Sequence, residues 1–200
     1  MAPVAEQLHP AENRGYRELY AAARQVESRW SRLADGYEGT DGADALRRGA
    51  KIAGDLLAEL PEWTEPRGLH GTPAAQGAGA GLAQVRSQVT DRFLERNQAL
   101  RLAVLDLEHV VILLGYLGEL AAARDDEELA KFCHGWVHRL RLNTSAVRKA
   151  SLAFAEEPDA AIKPLDESLI GRTAHRAGSV VGTVGEWLDS QAARLPRIGR

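Results

Sequence analysis

The sequence predicts an all-α fold, an antiparallel bundle of four to five helices around one long central helix. Apolar residues recur at steps of three and four through most of the chain, and no segment of useful length alternates with period two. Short turn-forming links separate the periodic stretches, which makes neighbouring helices antiparallel.

The first helix is expected from about Glu12 to Asp35, with Tyr16, Leu19, Tyr20, Ala23, Val26, Trp30 and Leu33 forming one apolar stripe. The stretch from Gly36 to Gly42 breaks it. Asp41 is placed to cap a second helix carrying Leu46, Ala50, Ala53, Leu57 and Leu60, which Pro61 should stop. From Pro61 to Gly81 prolines and glycines are too dense for a regular helix, so 61–81 reads as one long loop.

The pattern is strongest from Leu82 to Ala121, where Leu82, Val85, Val89, Phe93, Leu100, Val104, Leu107, Val111 and Leu114 share one side and only Asn97 interrupts. A continuous helix over that span would be about 60 Å long. Its second half is also apolar on the opposite side, through Leu102, Leu105, Ile112, Leu113, Tyr116 and Leu120, which predicts cover on both sides. Asp125 or Asp126 then caps the next helix, with Glu128 spaced for a capping box to Asp125. That helix keeps Leu129, Cys133, Trp136, Leu140, Val147 and Phe154 in register until Pro158. A last helix is expected from about Glu167 to Ala193, with Ile170, Ala177, Val181 and Leu188 on one face and a small-residue ladder of Ala174, Gly178 and Gly182. The whole, 1–200, reads as one domain with 1–11 and 194–200 frayed and no internal repeat.

Composition narrows the function classes. The 25 Lys and Arg against 28 Asp and Glu leave a net charge of −3, so no global field favours nucleic acid or an anionic membrane. The longest charge-free apolar run, Val110 to Gly118, is far short of the roughly 20 residues a membrane span needs. The first thirty residues lack the basic start and apolar centre of a signal peptide. With a single cysteine, Cys133, there is no intramolecular disulfide framework, and a cytoplasmic location is expected.

Six histidines raise the question of a metal. His134 and His138 have the i, i+4 spacing of a helical metal pair. They point away from the apolar stripe and share their side with Lys131, Arg141 and Lys149, which marks a solvated polar face. His109 lies among Leu105, Ile112, Leu113 and Tyr116, where an imidazole needs a partner. Asp106 stands one turn before it, and this Asp-x-x-His step loosely resembles the Glu-x-x-His of ferritin-like di-iron bundles. Such bundles use that step twice, and no second copy occurs here. No metal and no cofactor is therefore expected. A ligand- or metal-binding bundle, ferritin-like in architecture only, with a buried site near Asp106, Glu108 and His109 closed by Arg67 and His70 of the 61–81 loop, is the alternative.

The GAGAG run at 77–81 lacks the Lys-Ser/Thr and preceding strand of a phosphate loop. Cys133 shares the core stripe and reads as a buried thiol rather than a nucleophile.

The most directed feature is electrostatic. From Leu129 to Ala155 there is no Asp or Glu, while Lys131, Arg139, Arg141, Arg148 and Lys149 carry five positive charges. Lys131, His138, Arg141, Arg148 and Lys149 fall on one helical face opposite the stripe. A patch without interleaved aromatics suits an acidic protein surface better than nucleic acid. With no complete catalytic constellation to assign, the sequence leaves enzymatic activity open and favours a cytoplasmic bundle acting through self-association, as a homodimer, and through protein binding.

Overall fold

A computed structural model describes residues 8–69 and 94–165. Four long helices fill these ranges: α1 (Pro10–Asp35), α2 (Asp41–Thr64), α3 (Arg96–Ala122) and α4 (Glu127–Ala153). A 3-10 turn, Glu65–Arg67, follows α2, and a single-turn helix α5 (Pro158–Ala161) follows α4. Among the described residues the only strand-like contact is an isolated bridge between Glu95 and Pro164. The predicted all-α bundle is what the chain forms.

The starts of α1, α2 and α4 are each capped by a side chain, whereas that of α3 is not. The His9 ring accepts a hydrogen bond from the Ala11 amide at 3.2 Å, and the Glu12 carboxylate accepts one from the His9 amide at 2.8 Å, so α1 is ordered from Pro10 rather than frayed through residue 11. Thr40, not Asp41, caps α2, its hydroxyl accepting from the Ala43 amide at 3.2 Å. Asp126 caps α4 through the Leu129 amide at 3.2 Å. Asp125 sits just outside with φ +61°, so the expected box between Asp125 and Glu128 does not form.

α1 packs on α2 and α3, and α4 packs on α2 and α3. Tyr20 meets Thr64 while Trp30 meets Gly49, and Arg29 meets Asp106 while Gly15 meets Leu117; both pairings are antiparallel. Trp136 meets Glu59 while Asn143 meets Ala45, and Asn97 meets Ser151 while Gly118 meets Cys133; these are antiparallel too. The directions are therefore up, down, down, up. α2 ends beside the start of α1, where the Leu8 amide donates to the Arg67 carbonyl, whereas α3 begins beside Tyr37 at the far end. Leu69 and Leu94 therefore stand at opposite ends of the bundle.

The core is continuous across all four helices, with Tyr16, Tyr20, Trp30, Leu46, Leu56, Leu60, Leu100, Leu107, Leu114 and Leu117 fully buried. The Trp30 side chain of α1 packs against α2 at Gly49, where an added Cβ would overlap its ring.

Three sequence expectations change. The 61–81 loop begins later, because α2 continues through Pro61 to Thr64. Proline forfeits one helix hydrogen bond, but Leu60 and Thr64 are buried, Thr64 bonds Tyr20 at 3.1 Å, and Trp63 stacks on Phe132 at 4.9 Å, which outweighs that loss. The long helix starts at Arg96 rather than Leu82. Leu94 is buried outside the helix and its carbonyl accepts from Leu165, Glu95 is extended with ψ 154°, and the Arg96 amide donates to Lys163, so the returning chain takes the backbone groups a continuing helix would need. Residues 82–93, the last helix of 167–193, the GAGAG run and both tails (1–7 and 194–200) lie outside the described residues. Lastly, among the described residues α3 is covered on one broad side only.

Candidate functional site

The ligand site anticipated around Asp106, Glu108 and His109 separates into three unrelated contacts. Asp106 is bonded to the buried Arg29 of α1. Glu108 accepts from Arg148 of α4 at 3.0 Å. His109 is half-exposed and its Nε2 lies 3.1 Å from Glu18, so it is not embedded among leucines. The reason is the geometry of α3: its carboxylates and imidazole fan out toward α1 on one side and α4 on the other, and the face between them has no covering element among the described residues.

Arg67, expected in the 61–81 loop as a ligand contact, is instead committed to partners within the bundle. Its Nε and Nη2 reach the Asp126 carboxylate at 2.9 and 3.1 Å, its Nη1 donates to the Trp63 carbonyl at 2.9 Å, and its guanidinium lies over the Trp63 ring. His70 lies outside the described residues. The Arg67–Asp126 pair belongs to a polar cluster closing one end of the bundle, in which Arg124 bonds the fully buried Glu12 at 2.9 Å and stands 3.9 Å from Asp126. Beneath it the Tyr16 hydroxyl and Cys133 Sγ are 3.5 Å apart. Burial, reinforced by the Cys133 contact, pushes the Tyr16 phenol well above its ordinary range. Burial likewise pushes the Cys133 thiol up to about 11, although the Tyr16 hydrogen bond acts the other way. A thiol held neutral is a poor nucleophile, so this end of the bundle reads as a structural closure.

The basic face of α4 is exposed throughout. Lys131 stands 3.5 Å from Glu127, and Arg148 holds Glu108, so these two are paired. His138, Arg141 and Lys149 make no ion pair among the described residues. His134 reaches Glu119 of α3 at 3.4 Å. Among the described residues no group of three or more His, Cys, Asp or Glu could hold a metal ion, and no helix is long and apolar enough to cross a membrane.

Two features escape the sequence. Arg139, outside the expected face, lies over the Trp136 ring at 4.7 Å and beside Glu59, and with Trp63 and Phe132 it seals the α2–α4 seam. More consequentially, no described helix covers the second apolar side of α3. Leu105, Ile112 and Tyr116 are 62, 68 and 49 % exposed, while Leu107, Leu114 and Leu117 on the other side are buried. Periodicity marks this side as apolar; what it lacks is any sign that the described helices would leave it open. Leu142 and Leu152 are exposed on the adjoining face of α4, among Arg141, Arg148 and Lys149.

No family model, no curated protein and no solved structure matches this chain.

Proposed function

We propose that this chain works by association, docking a partner on the outward faces of α3 and α4. The observation that carries the reading is the exposed stripe of Leu105, Ile112 and Tyr116 on α3, with His138, Arg141 and Lys149 exposed on the neighbouring α4 and in no ion pair among the described residues. Single exposed leucines are ordinary on a soluble protein; three aligned on one helix face are the kind of patch that marks an interaction site. The stripe would supply apolar contact and the cations would select an acidic partner and speed its approach. A second copy of this chain is the simplest partner for the stripe, giving a homodimer, and an acidic protein surface fits the cationic margin. A cytoplasmic setting suits the lone thiol of Cys133.

Two variants test this: Ile112→Asp in the stripe, and Arg141→Glu with Lys149→Glu at its margin. Light-scattering mass and co-purifying proteins are measured against the parent, with urea midpoints as control. Loss of self-association or of a partner at an unchanged midpoint is expected, since exposed charges contribute roughly 0–1 kcal/mol to stability. An unchanged mass and partner set would overturn the proposal.

A further inference from the structure

At the end of the bundle opposite the Arg67–Asp126 closure, the α1–α2 turn faces the last turn of α4 across a half-open cavity of about 240 Å³. Its wall is apolar. Leu100 of α3 forms the floor, Ala150 of α4 and Phe154 just past its end one side, and the Tyr37 ring, edge-on to Phe154 at 6.4 Å, the other. Gly42 presents bare backbone to the same space.

The polar groups at this cavity divide into committed and uncommitted. The Thr40 hydroxyl donates to the Tyr37 carbonyl at 2.7 Å while capping α2, and the Tyr37 hydroxyl donates to the Arg96 carbonyl. That leaves two carboxylates, Asp41 and Glu157, both exposed at the rim and neither in an ion pair or side-chain hydrogen bond among the described residues.

We propose that this cavity binds a small organic cation, an amine on a compact apolar body. The body would displace water from the leucine, alanine and aromatic wall, where every square ångström of apolar surface covered is favourable. The ammonium would sit at the mouth between two carboxylates that have no competing cation, with the electron-rich ring faces nearby. An anion of the same shape is repelled by both carboxylates, and a neutral analogue gains only the apolar part. Because the mouth is open to water, the charge contributes modestly, and we expect the cation to bind about ten-fold tighter than its neutral counterpart. This site is independent of the α3–α4 face.

The experiment titrates the isotopically labelled full chain with benzylamine and, separately, with benzyl alcohol, following backbone amide shifts. Benzylamine should move Tyr37, Gly42 and Phe154 with about ten-fold higher affinity than the alcohol. Glu157→Gln, whose side chain caps nothing in α5, combined with Asp41→Asn should erase that difference, and Ala153→Phe, at an exposed lining position, should block both ligands. Equal binding of amine and alcohol, shifts elsewhere on the bundle, or no shifts up to the solubility of benzylamine would each overturn the proposal. If the double carboxylate variant melts earlier than the parent, Glu157→Gln alone decides: the amine's advantage must shrink there, or the rim carboxylates are not the ammonium's partners.

Discussion

Arg67 and Asp126, 59 positions apart, form a two-pronged ion pair that ties the end of α2 to the start of α4. Asp126 does this while also accepting the Leu129 amide, so one carboxylate both starts a helix and fastens it to its neighbour.

Unequal costs follow for the two partners. Arg67→Ala leaves a partly dry carboxylate that still caps α4, and should cost about 1–3 kcal/mol, somewhat below a fully buried pair because both side chains keep some solvent contact. Asp126→Ala loses the cap as well and should cost about 1 kcal/mol more. Urea denaturation of both single variants and the double variant checks this. If the two single losses simply add, the residues are not energetically coupled and the closure is incidental.

Glycine substitutions in two helices should move stability in opposite directions. At Gly49 a methyl group would run into Trp30 and the Asn143 amide, so Gly49→Ala should destabilise by about 1–3 kcal/mol or more despite its better helix propensity. At Gly115 nothing lies within 4 Å of an added Cβ, and Gly115→Ala should stabilise by about 0.5–1 kcal/mol. Thermal melts of the two variants beside the parent are sufficient; a stabilising Gly49→Ala would mean that α1 and α2 do not approach as described.

The buried Cys133 thiol gives the fold an alkaline sensitivity. Its proton is held more tightly in the folded chain than in the unfolded one, so its contribution is whole below the ordinary value of 9.0 and fades as pH rises through about 11. Tyr16 acts in the same direction at higher pH. The loss attributable to the thiol is about 2 kcal/mol, read as the difference between parent and Cys133→Ala in how far the urea midpoint falls from pH about 8 to about 11. At pH about 8 alkylation by iodoacetamide should track unfolding. Rapid alkylation of the folded protein would contradict the burial of Cys133.

Much of this architecture is legible in the sequence, because a stripe at 3.6-residue spacing reports directly which side of a helix is apolar. The α1 and α4 spans, the short hairpin links and the core position of Cys133 follow from that alone. What periodicity cannot report is competition between distant segments. Pro61 stays helical because Tyr20 and Phe132, far away in sequence, hold the turns on either side of it. α3 starts at Arg96 because residues 163–165 return to claim its backbone. The buried charges were half-visible: Arg29 follows Val26 by three and precedes Leu33 by four, at the margin of the α1 stripe, yet only the fold supplies Asp106 as its partner. For the candidate surface, the cationic side of α4 is readable and the side of α3 left uncovered among the described residues is not, since apolar periodicity looks the same whether or not anything covers it.

The order up, down, down, up bears on how the chain finds its fold. Each hairpin closes over a short link, so α1 with α2 and α3 with α4 can zip up on local contacts soon after the chain collapses. Joining them is another matter, because their turns lie at opposite ends of the bundle and every contact between the two hairpins pairs residues distant in sequence, as Arg29 with Asp106 and Glu59 with Trp136 do. The entropy of such long-range closure falls on the docking step, yet it grows only slowly with separation along a chain, by about 0.6 kcal/mol per doubling. The two hairpins are therefore matched to one another by their facing core surfaces rather than by the closeness of their ends.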